Sequence, residues 1–222
     1  MLRRLGSWLT LAVLTALAPQ AAEAGFEFGF STVTNNNATN VAIGQAQMKV
    51  EVTDAGGGLV LFQFRNAPAG AASSITDVYF DDAPSPFFNT AIASIQNSTG
   101  VTYTSPATPA NLPGGSSVGF VANISADSVS PIVASGVNPG EVVGIALSLK
   151  GGKTFSGVIS ALQSTALRLG IHVQGFANGG SESFVNTTTP HLVPEPTSLM
   201  LAGLALVGVV ISRRRLQQAE WR

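Results

Sequence analysis

Apolar and polar positions alternate repeatedly through the middle of the chain, and glycine and proline interrupt the alternation at regular intervals. From Ala46 the residues Ala46, Met48, Val50 and Val52 fall on one face, and Gln45, Gln47, Lys49 and Glu51 on the other. That period of two is the mark of a half-buried strand. Asp54-Ala-Gly-Gly-Gly58 turns the chain, and Leu59 to Arg65 returns with Val60, Phe62 and Phe64 on the inner side. Two such runs across a glycine turn predict a hairpin.

The same reasoning continues along the chain. Phe26, Phe28 and Phe30 alternate at the start, ahead of an Asn- and Thr-rich stretch to Asn40 that reads as loop. Strands are expected at Ile75 to Phe80, Phe88 to Ile95, Gly100 to Thr104, Val118 to Ser125, Glu141 to Leu149 and Leu167 to Phe176, with an edge strand at Glu182 to Asn186. Pro84 and Pro86 cannot continue a ladder. The Pro/Gly-rich Ser105 to Ser117 reads as a long surface loop, and Ser128 to Gly140 as a second. Only Ser156 to Ser164, with Val158, Ile159, Ala161 and Leu162, has the spacing of a short helix. The fold class predicted is all-β, an antiparallel β-sandwich or jelly roll spanning residues 25–186, with 187–192 as a linker.

Both ends break this pattern. Arg3 and Arg4 precede the apolar run Leu5 to Ala18, Pro19 ends it, and Ala22 and Ala24 supply the small residues that a signal peptidase reads. Residues 1–24 are therefore expected to be a secretory signal peptide, cleaved after Ala24. At the other end Val193, Pro194, Glu195 and Pro196 lead into the uninterrupted apolar run Leu199 to Ile211, and Arg213, Arg214 and Arg215 close it. Each proline removes a backbone donor and biases the residue before it toward extended geometry. A helix over the apolar run would suit lipid, with the arginines held on the cytoplasmic side. A full span takes roughly 20 apolar residues, so this run is short for a permanent anchor. Residues 193–215 form the predicted sorting or transmembrane segment and 216–222 a cytoplasmic tail.

This order of Val-Pro-Glu-Pro, hydrophobic helix and arginine cluster resembles the PEP-CTERM sorting signal of Gram-negative bacteria. The resemblance implies that an exosortase, a membrane-embedded peptidase, acts on the chain as its substrate, in species that commonly make exopolysaccharide. The central runs ITDVYFDD, LPGGSSVGF, GVNPGE, RLGIHVQGF and SESF are similar to domains found ahead of such tails, a group that brings no assigned activity.

Composition narrows the function classes. Charged residues make up 10% of the 222, against roughly 25% in ordinary soluble proteins. The net charge of −1 gives no case for nucleic acid, and the absence of cysteine excludes disulfide and thiol chemistry. Between Gly25 and Val193 the bases are Lys49, Arg65, Lys150, Lys153 and Arg168, outnumbered by acids, so the central domain is mildly acidic.

Candidate chemistry is sparse. His172 lies between Ile171 and Val173 and so faces away from the apolar side of its strand, and His191 falls in the linker. No His-Glu-x-x-His or Gly-x-Ser-x-Gly pattern is present. Asp77, Asp81 and Asp82 are weak metal candidates, since calcium takes about six to eight oxygens and carboxylates at a strand end can supply some. Solvated turn residues are the favoured reading. Tyr79, Phe80, Phe87 and Phe88 offer either a sugar-stacking platform or core packing, and core packing is favoured. No cofactor is expected, and no catalytic residue is assigned.

The function expected is that of a non-enzymatic envelope or exopolysaccharide-matrix protein, exported, briefly anchored in the inner membrane, then delivered to the surface or matrix. Its expected partners are signal peptidase, the exosortase-type protease, the membrane and exopolysaccharide. The alternative is a carbohydrate-binding or glycan-hydrolysing sandwich bearing the same tail. Hydrolysis would need two carboxylates facing each other about 5 to 10 Å apart.

Overall fold

A computed structural model describes residues 25–193 of the chain. In chain order its strands are β1 (Gly25–Phe28), β2 (Phe30–Thr32), β3 (Met48–Gly56), β4 (Leu59–Asn66), β5 (Ser74–Asp81), β6 (Phe88–Asn97), β7 (Tyr103–Thr104), β8 (Ile124–Ser128), β9 (Val142–Leu149), β10 (Arg168–Gln174), β11 (Glu182–Asn186) and β12 (His191–Val193). Three helices interleave: α1 (Ala38–Gln47), α2 (Ile132–Ser135) and α3 (Phe155–Ser164). The strands form two six-stranded antiparallel sheets, ordered β12-β1-β3-β4-β9-β6 and β2-β11-β10-β5-β8-β7. The expected all-β sandwich-like architecture is what the chain adopts. None of the described helices is long and apolar enough to cross a membrane, and the apolar run Leu199 to Ile211 lies outside the described residues.

One apolar layer fills the space between the sheets. Val50, Val52, Val60, Phe62 and Phe64 point in from the first sheet, and Val78, Phe80, Leu169, Ile171 and Val173 from the second, all fully buried. Phe62 meets Phe80 edge-on across the layer at 5.0 Å between ring centres, and Phe88 at 5.7 Å. Phe64 also meets Phe80 edge-on, at 6.0 Å. Edge-to-face pairing places the positive ring edge against the negative face and adds to the area term. Tyr79, Phe80 and Phe88 are thus buried, as the core-packing reading expected. Phe87 is half-buried beneath the Lys153 ammonium, 4.3 Å from its ring centre.

The second sheet is covered on its outer face too. Every residue of β5 is buried, where alternation would leave half of them wet. The cover is the stretch from Ser105 to Ala122, of which Ser105 to Ser117 is expected from sequence as a surface loop. Ala107, Leu112 and Phe120 pack with Tyr79 in a small second cluster. Gly170 on β10 makes room for them, since a side chain there would press on Leu112 and Phe120 at 3.0 Å. Asn111 ties the loop to itself, donating from Nδ2 to Phe120 O and accepting at Oδ1 from the amides of Leu112 and Ala122. The strand expected at Val118 to Ser125 accordingly starts later, at Ile124, because Gly115–Val118 is a 3-10 turn within this cover.

Helix α1 is the clearest departure from the expectation of a single helix. Periodicity divides its residues between loop and the start of a strand, but Gln45, Ala46 and Gln47 are helical and β3 begins only at Met48. The buried face of α1 is Asn40, Gly44 and Gln47, which carries no apolar stripe to betray a helix. Polar bonds hold it instead. Asn37 caps the helix by accepting from the amides of Thr39 and Asn40. Gln47 Nε2 donates to Asn66 Oδ1, Ala71 O and Ser73 Oγ, and its Oε1 accepts from Ala71 N. Gly44 lets the backbone lie flush on the Phe184 ring, where any side chain would collide. Helix α3 begins one residue before its expected start, with Val158, Ile159, Ala161 and Leu162 buried. The short α2 falls inside the loop expected from Ser128 to Gly140.

Truncating the ring that joins the layers should be among the costliest single changes. Phe62→Ala should lower stability by roughly 3–5 kcal/mol, read from the midpoint shift in urea denaturation with an unchanged slope.

Candidate functional site

Three places in the described region bear on function: the edge of the first sheet where β1 pairs with β12, the polar strip on the outer face of the second, and a cavity on the outer face of the first. At the edge, β12 pairs antiparallel with β1, matching Gly25 to Val193, Phe26 to Leu192 and Glu27 to His191. The stretch expected as linker therefore ends as a strand. The first residue after the expected signal-peptide cleavage lies directly opposite the first residue of Val-Pro-Glu-Pro. Val193 is half-buried, whereas His191 and Leu192 are exposed. Ala22, Ala24, Pro194, Glu195, Pro196, Arg213, Arg214 and Arg215 lie outside the described residues.

On the second sheet the register aligns Ser183, His172, Asp77 and Asp127 across four neighbouring strands. Sequence reasoning missed this row because its members are distant in the chain and only strand pairing joins them. His172 Nδ1 lies 3.0 Å from Ser183 Oγ, but Ser183 is fully buried and His172 nearly so. Asp77 accepts from Thr76 Oγ1 at 2.7 Å, and the Tyr79 hydroxyl lies 3.3 Å from its other oxygen. Thr76 is the extra residue of a β-bulge between His172 and Val173, which explains how it reaches its own neighbour. The Tyr79 hydroxyl also lies 3.1 Å from Pro109 O, so the strip touches the covering loop. With Asp127 accepting from Thr108 N, these groups fasten the loop to the sheet.

The three aspartates singled out from sequence go separate ways. Asp81 is ion-paired with Arg168, whose guanidinium also donates to Val118 O and Gly119 O. Asp82 accepts from the amides of Phe87 and Phe88 and so shapes the turn into β6. Burial raises the Asp82 carboxyl above its ordinary range, partly offset by those two amides. Asp77 stays in the polar strip. Among the described residues no group of three or more His, Asp or Glu side chains converges on one point. Glu182, fully buried, accepts from Thr34 Oγ1 and the amides of Asn36 and Asn37, fixing the approach to α1.

A cavity of about 490 Å³ opens on the outer face of the first sheet, lined by Glu27, Gln47, Lys49, Gln63, Arg65 and Glu141 among others. Arg65 is committed to Glu51 and to Gln63 Oε1. Glu141 Oε2 accepts from the Asn138 amide. Glu27 and Lys49 form no ion pair among the described residues.

Residues 192–215 match the family model of the PEP-CTERM protein-sorting motif. No curated protein and no solved structure matches the chain. The chain thus carries a PEP-CTERM sorting motif, which implies export through the membrane and processing by a membrane-associated partner of the exosortase type. The motif's first two residues, Leu192 and Val193, are also the last two of β12.

Burial raises the Asp77 carboxyl from its ordinary 3.8 to about 6, with the nearby Asp127 charge adding to the rise. The folded state thus holds this proton more tightly than the unfolded chain. The contribution is fully present below about pH 4 and is lost as pH rises through about 6, on the order of 3 kcal/mol. Burial lowers His172 below its ordinary 6.5, so its opposing cost appears as pH falls through that value. Asp77→Asn mimics the protonated acid. Its melting temperature should exceed that of the native protein at pH 7 and converge with it by pH 4, measured by thermal circular dichroism.

Proposed function

We propose that this chain is an exported, non-enzymatic component of the cell envelope or exopolysaccharide matrix, released from a transient inner-membrane anchor by an exosortase-type protease. The observation that carries the reading is the sorting motif at residues 192–215, beginning within the last strand of the β domain. In this reading residues 1–24 direct export and are removed by signal peptidase. Leu199 to Ile211 then inserts as a helix with Arg213, Arg214 and Arg215 in the cytoplasm. Pro194-Glu195-Pro196 sits at the outer boundary, where two prolines keep it out of the helix and extended. Cutting there frees a folded domain whose described core, closed between two sheets, runs from Phe28 to Phe184. The buried, committed state of Ser183, His172 and Asp77 supports a structural part for the one row that resembles catalytic machinery.

A second reading, a glycan-binding domain, is favoured by the cavity on the first sheet. The Glu27 carboxylate and Lys49 ammonium, in no ion pair among the described residues, with the Gln63 side chain on β4, suit the hydroxyls of a neutral sugar, which both accept and donate.

Two outcomes follow. Replacing Pro194-Glu195-Pro196 with alanines should leave insertion intact and give a membrane-held precursor in the native host, seen by fractionation and immunoblot. Release of that variant at the normal rate would remove the sorting reading. For the glycan reading, Lys49→Ala with Gln63→Ala should weaken binding of the purified domain to neutral oligosaccharide about tenfold or more by calorimetry.

A further inference from the structure

Among the described strands, β6 is the one long strand left at a sheet edge. The other edge strands, β2, β7 and β12, have two or three residues each, and β6 has ten. Short edges give a partner little to pair with, and natural proteins guard long ones with lysine, proline or other charge. The run Phe88–Asn97 holds none of these. It is bulged between Phe88 and Ile92 and between Ile92 and Ser94, so its regular ladder to β9 runs from Ser94 to Asn97. β9 flanks it on one side, and no described strand on the other. We propose that β6 pairs edge to edge with β6 of a second copy of this chain, antiparallel and centred on Ile95, joining two first sheets into one. This goes beyond the sorting reading and does not depend on it.

Backbone alternation selects the centre. The Ser98 amide donates to Val142 O, which turns the backbone groups of Ser98, Gln96 and Ser94 toward β9. Those of Ile95 and Asn97 then point out of the sheet edge. A two-fold axis at Ile95 lets each Ile95 exchange both bonds with its own copy. The Ile95 side chain is half-buried against the core, and the axis sets the two side by side, covering apolar surface that water now touches.

Charge selects the second copy and its direction. Just before β6, the Lys153 ammonium lies over Phe87 and the Lys150 amide donates to Phe87 O, both lysines being near Asp82. Just past its far end the Glu141 carboxylate stands over Gly100, and Glu141 is in no ion pair among the described residues. An antiparallel pair carries the lysine end of each copy toward the Glu141 end of the other, twice over. A parallel pair would set lysines against lysines. A neutral strand between opposite charges is complementary to itself.

The contact is small beside a standard interface of roughly 1,200–2,000 Å², so the test is made in the native host at the protein's own density. The chain has no cysteine, so one introduced thiol reports one place. Ser94→Cys and Gln96→Cys, both at exposed positions, are each expressed as the full chain and treated with a short bis-maleimide. In the pair each thiol lies diagonally across the axis from its copy, about 7–8 Å away. Either variant should give a product of twice the chain mass. Thr90→Cys should give none, because its copy lies ten residues along, about 33 Å at roughly 3.3 Å per residue. Adding Ser94→Lys to Gln96→Cys brings like charges together at the axis and should cut the dimer about tenfold at unchanged protein level. Three results would each overturn the pairing: equal dimer from Thr90→Cys, no dimer from Ser94→Cys and Gln96→Cys whose thiols accept a single maleimide, or a product joined to a protein of another mass.

Discussion

The contact between Phe62 and Phe80 is where the two sheets become one domain. Phe62 belongs to the first sheet and Phe80 to the second, and Phe64 and Phe88 brace the pair from the first sheet. Neither sheet could keep its apolar face out of water alone, and a strand removed from either side would leave a hole in this layer. The alternation of Val50, Val52, Val60, Phe62 and Phe64 is therefore a consequence of facing Val78, Phe80, Leu169 and Ile171. Loops, helices and chain ends are arranged around a layer that is already closed.

Polar chemistry does the rest of the fastening, and it does so in buried places. Gln47, Asn66 and Ser73 form one knot under the end of α1, and Glu182 with Thr34 and the amides of Asn36 and Asn37 forms another at its start. The strip of Ser183, His172, Asp77 and Asp127 holds the covering loop against the second sheet. Buried polar groups are costly unless bonded, so each of these knots admits few alternative arrangements. A chain poor in charge and rich in Asn, Ser and Thr can build a specific fold in this way with two ion pairs among its described residues.

The first and last strands then acquire a meaning that neither has separately. Gly25 and Val193 are paired across the edge of one sheet, so the expected export signal and the sorting motif depart from a single corner of the domain. The cavity on the first sheet lies beside this corner, since Glu27, one of its lining residues, pairs with His191 of β12.

The sequence by itself determined the strands whose core-facing apolar residues recur at every second position, such as β3, β4, β9 and β10. It also determined the tail motif, because prolines, an apolar run and arginines act through local chemistry. Helix α1 escaped it, since its buried face of Asn40, Gly44 and Gln47 is polar and small and is stabilised by partners as distant as Gly179 and Phe184. The fates of Asp77, Asp81 and Asp82 were equally invisible: adjacent in the chain, they answer to a bulge, to Arg168 and to two amides. The covering of the second sheet by Leu112 and Phe120, and the pairing of Gly25 with Val193, were decided by tertiary structure alone. Periodicity reports how one segment meets an average environment, whereas hydrogen-bond partners and strand neighbours are set by other segments, some of them more than a hundred residues away.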